Sequence, residues 1–273
     1  MTVSAVKKNY VVETIRKSQM KELFMKSKRL DGRSLDQFRE VKISTGLIEK
    51  ANGSALVSLG NTQVMAGVKV ATGAPFPDTP DKGLLVVNAE VLPLASAYAE
   101  AGPPDENAIE LARVVDRGVR ESEMIDLEKL CIIEGKLVYT IFVDVNILNV
   151  DGNLFDATSF AVVSALRTSK IPEYTIDEEK QKLTGQMLPL PVRKTPVSVT
   201  LARVDDILMV DPSAEEEAVM DARITFTTDD DGNICAGQKG EPGTLTPLQV
   251  TQAAEIAISK GKEIRKLILE VTG

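Results

Sequence analysis

At 273 residues, 43% of them apolar, the chain is long enough to bury the core of one large or two modest domains. Its 32 basic and 40 acidic side chains leave a formal charge of −8, which argues against nucleic-acid binding through bulk electrostatics and leaves only a local basic patch for that role. The absence of histidine removes Ser-His-Asp and Cys-His catalysis, histidine acid–base chemistry and histidine metal ligation together. Any chemistry must run on carboxylates, lysines, arginines or backbone donors. The two cysteines, Cys131 and Cys235, form no CxxC pair and read as buried free thiols of a reducing cytosol. No apolar run approaches the length of a membrane span, and the N-terminus lacks the apolar stretch of a signal peptide, so a cytoplasmic chain without membrane contact is expected.

Residues 1–30 carry eight basic and two acidic side chains, and within them Val12, Ile15, Gln19 and Leu23 recur at helical spacing before a break at Asp31-Gly32. Strands are expected over 41–48, 54–59 and 62–70, joined by a Gly60-Asn61 turn into a hairpin or meander. Asn52-Gly53-Ser54 fits a glycosylation sequon formally but reads better as a turn. A Pro- and Gly-containing loop (71–83), a strand (84–94) and a second loop (100–107) lead into a helix over 106–122. Residues 136–150 form a long strand, Asp151-Gly152 a turn, and 154–169, apolar nearly all round, a buried helix. A polar connection with prolines spans 170–196. Beyond it come strands at 196–204 and 206–211 and a short helix at 213–220, whose Glu215, Glu216 and Glu217 favour its own N-terminal dipole. A hairpin over 221–239 turns at 230–232, and a long amphipathic helix over 246–271 begins with Thr246 as cap and Pro247 in its first turn; Gly261 is its weak point. Strands and helices mix without regular βαβ alternation, which predicts an α+β fold with a boundary inside 170–196.

The helix ENAIELARVVDRGVRES carries the one concentrated basic feature. At 100° per residue with Ile109 as zero, Arg120, Arg113 and Arg117 fall at about 20°, 40° and 80°, opposite the apolar face. One reading is a solvated face held by ion pairs of Arg113 with Glu110, Arg117 with Glu121 and Arg120 with Asp116. Each pair is worth only a few tenths of a kcal/mol, and the like charges of Arg113 and Arg117 one turn apart cost a similar amount. The other reading is an anion site, because guanidinium forks about 5–6 Å apart at Cβ suit successive phosphates of an extended strand. Asp229, Asp230 and Asp231 lack the spacing of a calcium loop and read as a hairpin turn. There is no Gly-rich phosphate loop and no zinc pattern, and with 4% aromatics and no tryptophan, base stacking would be sparse.

Four segments together resemble the RNase PH family across most of the chain: LDGRSLDQFREV (30–41), ELARVVDRGVR (110–120), NVDGNLFDATSFAVVSAL (149–166) and MVDPSAEEEAVMDARITFT (209–227). The likeness is in particular to the non-catalytic, RNase PH-like subunits of the archaeal exosome. It implies an α+β, RNase PH-like fold of two sub-domains, each a mixed or antiparallel sheet packed against helices. The boundaries are then a basic helical lead (1–30), domain 1 (31–170), a linker (171–195) and domain 2 (196–273). Active members place Gly-Thr-Arg or Gly-Ser-Arg at the turn occupied here by Asn153, Leu154 and Phe155, with Asp156 next. A leucine and a phenylalanine cannot coordinate phosphate, and a carboxylate repels it. The catalytic subunits also carry paired arginines just before the helix, where this chain has Glu106 and Asn107.

The resemblance therefore implies a subunit without chemistry or cofactor of its own, alternating three and three with a catalytic homologue that uses inorganic phosphate. Arg113 and Arg117 match positions that help hold RNA; Arg120 matches the family pattern but could equally be interfacial or structural. RNA-binding cap proteins are possible further partners. Two alternatives stand beside it: a phosphorolytic nuclease in its own right with Asp221 as acid, and a ring scaffold without RNA contact.

Overall fold

The structure, a computed structural model, describes residues 10–26, 28–96, 99, 102–177 and 180–273. In chain order the first half comprises α1 (Tyr10–Phe24), β1 (Val41–Thr45), β2 (Gly53–Leu59), β3 (Thr62–Gly73), β4 (Leu84–Val91), α2 (Glu106–Glu121), β5 (Cys131–Ile133), β6 (Leu137–Asn149) and α3 (Leu154–Arg167). The second comprises β7 (Lys170–Asp177), β8 (Lys180–Pro189), β9 (Val197–Val204), β10 (Ile207–Val210), α4 (Ala214–Val219), β11 (Ala222–Thr228), β12 (Ile234–Gly240) and α5 (Pro247–Thr272). The first sheet runs β1-β2-β3-β6-β4, with β5 beside β6, and the second runs β10-β9-β11-β12. Every pairing is antiparallel except β4 with β6, so the first sheet is mixed and β4 forms its edge.

Period-two alternation sets the buried face of the first sheet: Ala55, Val57 and Leu59 of β2 and Val64, Ala66 and Val68 of β3 all point inward. Helix α3 packs on that face through β2 and β3 and on the second sheet through β9, with α2 and α5 beside it. This position explains the sequence. A helix covered on both sides needs no polar face, and every residue from Leu154 to Leu166 is buried. One apolar cluster runs from the first sheet through α3 into β9, β11 and α5.

The stretch read as a polar connection is instead a β7–β8 hairpin. Its edges accommodate Pro172, whose carbonyl accepts from the Tyr139 hydroxyl at 2.5 Å. The short η turn at 128–130 and β5 were also not foreseen. Helix α1 anchors Met20 and Phe24 in a second small apolar cluster with Ala202, Val204, Met209, Val219 and Met220. Two of its basic side chains spend charge within the chain: Lys17 pairs with Asp221 and Lys21 with Asp205. Residues 1–9 of the basic lead lie outside the described residues. Gly261, a weak point by helix propensity, is a point of close approach: a Cβ there would stand 2.5 Å from the Thr228 hydroxyl of β11.

Candidate nucleic-acid interface

Helix α2 starts at Glu106 because Asp105 caps it, accepting from the Ala108 amide at 2.8 Å. Leu111, Ala112, Val115, Gly118 and Val119 form its buried face, and Arg113, Arg117 and Arg120 are exposed on the other. The three arginines are not equivalent. Arg120 is committed: it donates to Asp116 at 2.8 Å and to the Leu85 carbonyl of β4 at 3.0 Å, splinting the helix to the sheet edge. Arg113 and Arg117 have no hydrogen bond or ion pair among the described residues. Glu110, the expected partner of Arg113, turns the other way and accepts from Arg223 of β11 at 3.0 Å and from Gln238 at 3.3 Å. Magnitudes decide this choice. An exposed i,i+3 pair is worth about 0.2–0.5 kcal/mol, whereas leaving a buried guanidinium such as Arg223, 2% exposed, without a carboxylate costs about 3–5 kcal/mol.

The two unpaired guanidinium groups stand on a ridge between two grooves. One, of about 490 Å³, lies toward β4 and is walled by Leu85, Val86 and Val87. The other, of about 330 Å³, lies toward β12 and includes Ile109, Glu110 and Gln238. Two guanidinium forks one helical turn apart, exposed and unpaired, can accept successive phosphates of a single strand. The ion-pair reading of the stripe accounts for Arg120 alone.

At the N-terminus of α3 the chain closes what could be an anion seat. Gly152 (φ +81°) is required, since a Cβ would meet the Ala214 amide at 2.5 Å. Asn153, also left-handed at φ 51°, is fully buried; its amide donates to Glu217 at 2.8 Å, and its side chain donates to Asp156 and Asp211, each at 2.8 Å. Leu154 and Phe155 point into the core. Asp156 is not the open, phosphate-repelling carboxylate suggested by the sequence: it is buried, accepting from the Thr200 amide at 2.9 Å and hydroxyl at 2.7 Å. The carboxylate at the cap is that of Glu217, which arrives from α4 and serves the dipole of α3 as well as its own helix.

Burial pushes both acids up to about 7, Asp156 against the bonds from Asn153 and Thr200, and Glu217 against the Asn153 amide and the fields of Arg223 and Arg39. Between about pH 4.5 and 7 the folded chain therefore keeps protons that the unfolded chain has released, and this part of the stability is lost as pH rises through the window, at about 1.4 kcal/mol per pKa unit. Urea midpoints of Glu217→Gln are expected to fall less steeply with pH across that window than those of the parent. Equal slopes would show that Glu217 ionises normally in the fold.

Elsewhere, Asp221 is held below the usual carboxylate range: burial opposes ionisation, but Lys17, the Asp205 amide at 2.8 Å and Arg203 outweigh it. None of its contacts is with α2 or the α3 cap. Asp229 closes the hairpin turn, accepting from the amides of Asp231 and Asn233; Lys194 and Asn233 overcome its burial and hold it at about 2. Among the described residues no cluster of carboxylates or thiols is arranged to hold a metal, and no helix is long and apolar enough to cross a membrane.

Comparison with known proteins places this architecture. The model of domain 1 of the 3′ exoribonuclease family matches residues 37–172, and that of its domain 2 matches residues 194–260. The chain belongs to the RNase PH family. It is 49% identical over 269 residues to "Exosome complex component Rrp42" of Thermococcus gammatolerans, covering 96% of this chain and 97% of the relative. It is 50% identical over 241 residues to the protein of the same name from Methanopyrus kandleri, covering 88% and 90%. A solved structure of the Archaeoglobus fulgidus exosome with RNA bound to the active site contains a chain 46% identical, with a TM-score of 0.86 over 94% of this chain and 98% of that one. The α+β, RNase PH-like fold is thus established for this chain, with both family domains present.

Two residues of the RNase PH fold here escaped the sequence reading. Glu217 looked like an ordinary first-turn acid, and nothing in its spacing points to a neighbouring helix. Arg223 did carry a signal, being a charge inside the strand ARITFTT, where every residue is buried. A buried arginine demands a carboxylate, and that demand leads to Glu110.

Proposed function

We propose that this chain is a non-catalytic, RNA-gripping subunit of a phosphorolytic 3′→5′ exoribonuclease ring, alternating three and three with a catalytic RNase PH-like homologue. The partner supplies inorganic-phosphate binding and acid catalysis; this chain supplies Arg113 and Arg117 to a shared groove, with Arg120 bracing the helix beneath them. One observation carries the reading: the two arginines are exposed and unpaired among the described residues, while the α3 N-terminus is filled by Glu217. The relatives named as exosome components, and the related chain in an RNA-bound exosome, support the assignment to such a ring.

The alternative of independent phosphorolysis asks Asp221 to donate a proton, yet Lys17 and Arg203 favour its ionised form. Incubated alone with RNA and inorganic phosphate, the purified chain is expected to release no nucleoside diphosphate, and adding the catalytic homologue should restore release. Phosphate-dependent release by the chain alone, at a rate comparable to the mixture, would overturn the proposal.

A further inference from the structure

Arg113 has two carboxylates within helical reach, Glu110 three residues before it and Asp116 three after. Each is taken by a different arginine: Asp116 by Arg120 at 2.8 Å and Glu110 by Arg223 at 3.0 Å. Arg223 reaches α2 from β11, with its guanidinium carbon 4.0 Å from the centre of the Phe155 ring. That stacking sets the plane of the fork, its Nη2 meets Glu110, and Gln238 adds a second donor to the same carboxylate oxygen. The Phe155 ring at the start of α3 thus serves as a platform for Arg223.

We propose that Arg223 is a positioning residue for RNA: by capturing Glu110 it keeps the guanidinium of Arg113 open to a phosphate. Without it, Glu110 keeps only the neutral donor Gln238. It is then a carboxylate without a cation one turn from Arg113, on the rim of the same groove, where it neutralises the group that would meet RNA. The inference rests on the reading that Arg113 contacts RNA, so both are tested together.

The test uses rings assembled with the catalytic homologue and a fluorescent oligoadenylate, with affinity measured against salt. Arg223→Met is expected to weaken binding about two- to threefold, the competition expected of an exposed i,i+3 pair, and to lower the salt slope by at most about 0.7, the value for one phosphate contact on a single strand. Adding Glu110→Gln to that variant should restore affinity to the parent's value, because no carboxylate then competes for Arg113. Ile109→Glu, at an exposed position four residues before Arg113, introduces such a carboxylate with the Arg223 pair intact and should reproduce the loss.

Unchanged binding in Arg223→Met, a loss that Glu110→Gln fails to rescue, or no effect of Ile109→Glu would each overturn the inference. Should Arg223→Met not assemble, the double variant and Ile109→Glu decide by the same criteria. Arg113→Ala with Arg117→Ala, run in parallel, separates the two claims. If that pair leaves affinity unchanged, the RNA-gripping reading itself fails; if it lowers affinity while Arg223→Met does not, only the positioning role fails.

Discussion

Asp211→Ala is expected to be the most damaging single substitution outside the apolar core, lowering stability by about 3–5 kcal/mol. Asp211 is 0% exposed. One of its carboxylate oxygens accepts from Arg33 at 2.8 Å and from the amide and Nε of Arg39 at 2.8 and 2.9 Å; the other accepts from Arg39 Nη2 and Asn153 Nδ2, both at 2.8 Å. Its backbone carbonyl takes Arg29 at 2.7 Å, and Arg29 in turn pairs with buried Glu216. One carboxylate thereby ties the 29–39 segment to the end of β10 and to the cap of α3. Deleting it strips the nearly buried guanidinium groups of Arg33 and Arg39 of their shared carboxylate, leaving Arg33 chiefly the exposed Asp31 and Arg39 chiefly Asp151 at 3.7 Å. It also leaves the Asn153 amide half-satisfied, in a position whose backbone (φ 51°) disfavours alanine. Since a domain of this kind has about 5–15 kcal/mol in total, much of the chain should populate unfolded states under mild denaturant.

The check is a urea titration in which the midpoint falls while the slope stays constant. Asp211→Asn, which tolerates the left-handed backbone and keeps one acceptor, should fall between parent and alanine. A loss below about 1 kcal/mol would mean that water reaches Arg33 and Arg39 in the fold, since exposed pairs contribute no more than that.

This network also shows where sequence stops informing. The elements were legible wherever one residue's neighbours in the chain are its neighbours in space. The apolar face of α2, the all-round apolarity of α3, the Thr246 cap and the aspartate turn at 229–232 all follow from local spacing. The DGR stretch was legible as a likeness, but its physical reason was not: Arg33 and Arg39 reach a carboxylate 178 and 172 residues away. The same holds for Glu110, which helical spacing offers to Arg113 and tertiary structure gives to Arg223, 113 residues on. Local rules rank pairs worth tenths of a kcal/mol, while burial imposes terms roughly ten times larger that no local rule contains. The β7–β8 hairpin was missed for a related reason. A two-stranded ribbon outside the two main sheets buries Ile171 near its start, too little apolar alternation to print a strand pattern on the sequence.

The arginines of α2 give the largest expected functional effect. In the assembled ring, Arg113→Ala with Arg117→Ala is expected to weaken single-stranded RNA binding about 30- to 900-fold, at roughly 1–2 kcal/mol for each of the two charge-assisted contacts. The dependence of log affinity on log salt should fall by about 1.4, twice the single-strand value for one neutralised phosphate. Neither arginine holds anything inside the described chain, so the fold has nothing to lose. Relief of the like charges one turn apart should leave thermal stability unchanged or slightly raised, by at most about 0.5 kcal/mol. Arg120→Ala should behave in the opposite way, losing its bonds to Asp116 and the β4 edge with little change in the salt slope. That contrast separates gripping from scaffolding. If the two arginines instead pair with acidic groups of a neighbouring subunit, the double variant will lower the ring's assembly, seen as a loss of the six-membered species by light scattering, before it alters RNA binding. An intact ring with lowered affinity and a shallower salt slope is the result expected here; an intact ring whose affinity and slope match the parent would remove RNA from the account of this helix.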